Sequence, residues 1–226
     1  MDGVDDVDSI DANTHRIKFR LGYSTVSAIG EANDNKHLNV LRLSIIRDPF
    51  ERTIIALILS LPAFLQQLIA AIFPGFFLPD RVVLKTAKPG WLEEFDNEKH
   101  MYERLQSLQG RVIPKFYGEA ESEGGRTLIL SEVVGILPWE QQRPPLEPEK
   151  FKKLVDIAFH ELNVFGLGYE DIKLDNFILV QDHIVLVDLE SVYEPKSEDR
   201  EYAFHCDRAH VEVVYQRYLN HYDDDD

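Results

Sequence analysis

The sequence predicts an α+β fold arranged as two small lobes, and three observations carry that prediction. Short apolar runs bounded by turn-forming residues recur within the first 46 residues, at 81–87 and at 111–135, which is strand patterning. The stretches 91–108 and 148–166 instead space their apolar residues by three and four, which is helix patterning. A length of 226 residues with 44% hydrophobic content suits one domain or two lobes sharing a cleft, and argues against wholesale disorder.

Taken in order, residues 1–15 are acidic and polar and read as a disordered arm. The runs 16–29 and 37–46 flank the turn-forming cluster EANDNK and read as a hairpin. Residues 53–79 hold no charged side chain. Pro62, Gln66, Gln67, Pro74 and Gly75 interrupt them, so they read either as one or two packed helices or as a membrane-inserted or membrane-surface segment. The flanking Arg47, Arg52 and Arg81 lie on both sides and set no orientation. RVVLKTA is then a short strand, 91–108 a helix, RVIPKFYGEA and RTLILSEVVG strands, and 148–166 an amphipathic helix with Pro148 at its start and Gly166 beyond its last apolar residue. NFILV and HIVLVDLE form a second hairpin, and a last helix covers 199–220. The expected organisation is an N-terminal lobe over 16–136 with 53–79 inserted, a shortened C-terminal lobe over 137–222, and an acidic tail at 223–226.

A net charge of −16 opposes nucleic acid and anionic membrane surfaces as partners. The single cysteine, Cys206, forbids an intramolecular disulfide and agrees with a reducing compartment. The acidic N-terminus lacks the positive charge and apolar run of a signal peptide, so a cytoplasmic location is expected, with membrane association through 53–79 as the alternative. His100, His160 and His183 have no metal-ligand spacing and read as structural.

Two constellations carry chemistry. On helix 91–108 the apolar stripe Trp91, Phe95, Tyr102, Leu105 has Glu98 as its missing member. A carboxylate facing inward needs a cation, and Lys85, set among apolar neighbours on the preceding strand, is the candidate. In the second hairpin, a turn at 181–183 sets Val180 opposite Ile184 and therefore Asn176 opposite Asp188, with Asp171 on the loop leading in. Three oxygen-bearing side chains then converge, a donor set for a hard cation such as Mg²⁺.

At these residues the chain resembles the protein-kinase-like superfamily. DIKLDN at 171–176 is similar to the kinase catalytic loop, VVLK at 82–85 to the strand bearing the kinase lysine, and VDLE stands where kinases have Asp-Phe-Gly. RTLILSEVV is similar to the strand and hinge that receive adenine. Stretches such as LPDRVVLK and VDLESVYEP resemble compact kinase-like proteins of filamentous fungi. The resemblance implies a two-lobed kinase-like fold, with an antiparallel N-terminal sheet and a mainly helical C-terminal lobe. It implies ATP and Mg²⁺ as cofactors and an unknown phosphate acceptor or partner protein. By it, Asp171 would accept the acceptor's proton, Lys173 would sit near the transferred phosphoryl group, and Asn176 and Asp188 would hold Mg²⁺. Lys85 would contact the phosphates, positioned by Glu98, and Ser131, Glu132 and Val134 would line the nucleotide site.

The departures are specific. Tyr169-Glu170 replaces the His-Arg before the catalytic Asp, Glu190 replaces the Gly of Asp-Phe-Gly, and no G-x-G-x-x-G is present, Gly22 and Gly30 offering a weak substitute. Only 38 residues follow Asp188, fewer than a full C-terminal lobe needs. A pseudokinase that binds nucleotide or scaffolds a partner, and a membrane-associated interaction protein, are the alternative readings.

Overall fold

The computed structural model describes residues 14–32, 39–142 and 144–223. Most of the acidic arm, most of the EANDNK cluster and the last three residues lie outside them. The chain forms two compact units, one of residues 1–87 with 117–130 and the other of 88–116 with 131–226. The division therefore falls at three crossings of the chain rather than once near residue 136.

Six strands make up the sheet of the first unit: β1 (Thr14–Leu21), β2 (Ser24–Ala32), β3 (Val40–Ile46), β4 (Arg81–Thr86), β5 (Phe116–Ser122) and β6 (Gly125–Ser131). Their order is β1-β2-β3-β4-β6-β5, and antiparallel pairing of β1 with β5 closes the sheet into a barrel. Closure leaves no free edge strand. Alternation places Phe19 and Leu21, Val26 and Ala28, Leu43, Val82 and Leu84, Ala120 and Ile129 in its core. The run 16–29, expected as one strand, is a hairpin by itself, with Leu21 paired to Ser24 across Gly22-Tyr23. Gly22 has φ +57, a left-handed conformation that a side chain would resist, and it makes the turn inside this β-rich run.

Between β3 and β4 lie α1 (Pro49–Leu59), α2 (Ala63–Ile72) and a one-turn 3-10 helix (Pro74–Phe77). Asp48 caps α1 in a capping box with Glu51, and Pro62 separates the two helices. The stretch 53–79 thus forms two separate helices, and among the described residues no helix is long and apolar enough to cross a membrane.

The second unit holds α3 (Leu92–Arg104), α4 (Pro148–Val164), β7 (Gly168–Tyr169), β8 (Phe177–Val180), β9 (His183–Leu186), β10 (Val192–Tyr193) and α5 (Arg200–Asp223). Its centre is aromatic. Phe177 lies 6.0–6.3 Å from the rings of Phe151, Phe159 and Tyr169, and Phe151 stacks on Tyr215 of α5 at 3.9 Å. Trp91 departs from the expected inward stripe. It precedes the first turn of α3, is half exposed, and lies beneath the Lys88 ammonium at 5.7 Å. Residues 111–115, expected as strand, form a turn and loop before β5, and the Leu186 N–H donates to the Val112 carbonyl there.

Candidate functional site

The loop before β8 is held from beneath by Phe177, which is fully buried and follows Asn176 directly. Above that anchor the side chains join one hydrogen-bond network. Asn176 Nδ2 donates to the Asp171 carbonyl at 2.9 Å and to Asp171 Oδ2 at 3.2 Å, while Lys173 Nζ lies 2.9 Å from the same carboxylate oxygen. Asn176 is buried and Lys173 exposed. The hydrogen bond to Asp171 raises the Lys173 pKa, burial opposes it, and the nearby charges of Asp171, Asp188 and Asp175 add to the rise. The ammonium is thus secured at neutral pH.

The hairpin departs from expectation by one residue. Val180 pairs with His183 and Phe177 with Leu186, across a two-residue turn in which Gln181 takes φ +52. Two-residue turns of this kind match the right-handed twist of their strands, and the longer turn expected would not pack as closely. Asn176 accordingly meets Val187, whose N–H donates to the Asn176 carbonyl at 3.0 Å, and not Asp188. Asp188 follows outside the ladder in a left-handed conformation, φ +63 and ψ +77. Such strain in a residue other than glycine persists only where its surroundings over-determine it.

Those surroundings are explicit. Tyr169 hydroxyl donates to the carbonyls of Val187 and Asp188. Asn97 of α3 donates through Nδ2 to the carbonyls of Glu190 at 2.8 Å and Val192 at 3.0 Å. Its neighbour Glu98, fully buried, accepts the Leu189 N–H at 3.3 Å. Two successive residues of one helix therefore grip the turn that carries Asp188. The carboxylate oxygens of Glu98, Asp188 and Glu190 lie within 4.8 Å of one another, and Lys88 Nζ is 3.8 Å from Glu190. Burial first, then the charges of Asp188 and Asp171, push the Tyr169 phenol well above its ordinary range, so it stays a donor.

A further carboxylate supports the loop from α5. Asp207 accepts the Tyr169 N–H at 3.1 Å and the Tyr193 hydroxyl at 3.3 Å. Burial raises its pKa, and these hydrogen bonds oppose the rise in part. The phenol of Tyr193 is pushed up to about 12 by burial and by Asp207.

Lys85 belongs to the first unit, buried on β4 opposite Val40. Ser131 ends β6, its N–H donating to the Lys115 carbonyl at 2.8 Å and its hydroxyl accepting the Lys115 N–H at 2.9 Å. Glu132 and Val134 follow, with the Val134 side chain 82% exposed. Ile136 then pairs with Leu179 of β8 through reciprocal bonds of 3.0 and 2.9 Å. The weak phosphate-loop reading of Gly22 meets an obstacle, because the Tyr23 N–H of that turn already donates to the Ile72 carbonyl at 3.3 Å. Asn97 and Asp207 join this network without any signal in the sequence. Tyr169 and Glu190 did stand out there, as departures from the kinase pattern.

This is an α+β protein whose second unit gathers carboxylates, an amide and a lysine onto one loop and one turn. No protein-family model matches the chain, and no curated protein matches it. Among solved structures it is similar to the bifunctional kinase-methyltransferase WbdD, with a TM-score of 0.42 and 16% identity over 58% of this chain and 32% of that one. The chain thus spans 32% of the length of that protein, and the likeness is weak.

Proposed function

We propose that the chain is an ATP- and Mg²⁺-dependent phosphotransferase acting on a hydroxyl-bearing acceptor. The observation that carries the reading is the Asp171–Lys173–Asn176 network beside the strained Asp188 turn. The donor set fits a hard divalent cation. Asn176 commits its amide nitrogen to Asp171, which turns its amide oxygen to other use, and Asp188 adds a carboxylate with Glu190 close by. Asn176 and Asp188 would hold the Mg²⁺, whose charge offsets that of the phosphate oxygens when bound. Asp171 orients the acceptor hydroxyl and takes its proton. Lys173, kept protonated by Asp171, stabilises negative charge on the transferred group. Lys85 serves the nucleotide phosphates and Ser131, Glu132 and Val134 its base, on the sequence resemblance alone. The likeness to kinase-like proteins of filamentous fungi is likewise one of sequence.

The test is thermal unfolding with and without ATP and Mg²⁺, beside Asp188→Ala. Millimolar ATP with Mg²⁺ raises the Tm of the wild type by mass action and leaves Asp188→Ala unmoved. A folded wild type that shows no shift sinks the reading. A second reading, a pseudokinase that binds without transfer, is favoured by Glu190, which adds a third carboxylate beside Asp188 where a glycine would add none. It predicts the same shift with no phosphate released or transferred.

A further inference from the structure

We propose that the helical insertion between β3 and β4 lies in the interfacial layer of a lipid bilayer whose headgroups carry no net charge. This rests on the first unit alone and is independent of the phosphotransfer reading.

The insertion is built of side chains that ought to be buried. From residue 53 to 79 there is no charge. α2 reads AFLQQLIAAI, apolar but for Gln66 and Gln67, yet none of its residues is buried, and α1 buries only Ile58. Phe50, Leu57, Leu59, Phe64, Leu68 and Ile72 are between 47 and 72% exposed. Isolated exposed leucines are ordinary, but such a concentration on adjoining helices marks a contact surface.

The polar groups of the insertion indicate what covers it. Thr53 hydroxyl donates to the Pro49 carbonyl at 2.9 Å and Ser60 hydroxyl to the Leu57 carbonyl at 2.7 Å. Gln66 Nε2 donates to the carbonyls of Leu59 at 3.1 Å and Leu61 at 2.8 Å, covering the turn between the helices, where backbone carbonyls lose their intrahelical partners. These three side chains fold back onto their own backbone, which suits a medium poor in hydrogen-bonding partners, while the exposed amide of Gln67 is left for the headgroup layer.

Charge then selects the kind of surface. The flanks carry Arg47, Arg52 and Arg81 against Asp48, Glu51 and Asp80, a balanced rim suited to zwitterionic headgroups. A chain of net charge −16 is repelled by anionic lipid and by a second copy of itself. Length selects the mode. Helices of 11 and 10 residues reach about 16 Å each at 1.5 Å per residue, half of a hydrocarbon core, so the pair lies in the interface and does not cross it. Its two ends are fastened to the sheet, where Arg47 pairs with Asp80 and with the Leu78 carbonyl, and the Ile45 N–H donates to the Asp80 carbonyl.

The experiment is flotation of the full chain with phosphatidylcholine vesicles, alone and with added phosphatidylserine, beside Phe64→Glu and Leu68→Glu. Both substitutions fall on exposed positions of a helix that buries nothing, and circular dichroism melts check that they fold. Wild type floats with phosphatidylcholine, each variant loses about tenfold or more in partition, and phosphatidylserine weakens binding. The proposal is overturned if folded wild type stays with the buffer, if the variants float equally well, or if binding requires phosphatidylserine. It is also overturned if light scattering finds a lipid-free dimer that Leu68→Glu dissociates while vesicles capture none, since a second copy then covers the face.

Discussion

Asp207 shows how a single side chain carries both support and a penalty. Its carboxylate holds the Tyr169 N–H, yet burial raises its pKa above the ordinary 3.8. An acid whose folded pKa is raised binds more protons folded than unfolded, so its contribution is present in full below the unfolded value and is lost as pH rises through the folded one. Asp207→Asn keeps an oxygen for the Tyr169 N–H and has no charge to desolvate. The Tm of Asp207→Asn relative to wild type should therefore rise between about pH 3.5 and neutrality. A relative Tm that falls over this range would mean that the ionised carboxylate is the form the fold prefers. Gly168, next to Tyr169, has no room for a side chain, because a Cβ there would approach the Tyr193 ring to 2.6 Å and Asp207 Oδ2 to 2.8 Å. Gly168→Ala should destabilise by about 1–3 kcal/mol in denaturant titration, since this is overpacking against a ring and a half-buried acceptor.

At the scale of elements, the grip of α3 on the 188–192 turn is the feature to break. Asn97→Ala removes two hydrogen bonds and leaves the Glu190 and Val192 carbonyls to find water, at a cost of about 1–3 kcal/mol. Hydrogen exchange at the amides of 189–192 should speed up in the variant before global unfolding, without any nucleotide present. Unchanged exchange there would show that Tyr169 and Glu98 suffice to hold the turn. The aromatic joint between α4 and α5 is a second element-scale test. Phe151 is buried, stacks on Tyr215 and borders Phe177, so Phe151→Ala should lower stability by about 3–5 kcal/mol. The loop above Phe177 should loosen with it.

The whole molecule carries 40 acidic against 24 basic side chains. Self-repulsion of that size is screened by salt, so Tm should climb by a few degrees between about 0.01 and 0.15 M ionic strength. A Tm that drops instead would assign more stability to ion pairs such as Arg111–Glu161 and Lys152–Glu212 than their exposure suggests. Much of this molecule was legible in one dimension. The alternation of β-rich runs, the spacing of α4 with Pro148 at its start and Gly166 past its end, and the Asp171–Asn176 interval are local patterns. Local patterns are set by backbone sterics and by side chains a few residues apart. Whether 53–79 would pack or insert was not legible, because apolar composition alone does not say what an apolar face meets. The hairpin within 16–29 depended on one glycine taking positive φ, and the β8–β9 register on Gln181 doing the same without being glycine. Closure of the barrel, the grip of Asn97 on residues 93 and 95 positions away, and the Asp207 support of Tyr169 join segments far apart in the chain, and no local pattern encodes such contacts. The sequence by itself thus determined the elements and the residues of the candidate loop. Tertiary structure alone decided the register, the strained turn at Asp188 and the face that α2 leaves open, because those depend on which distant surfaces meet.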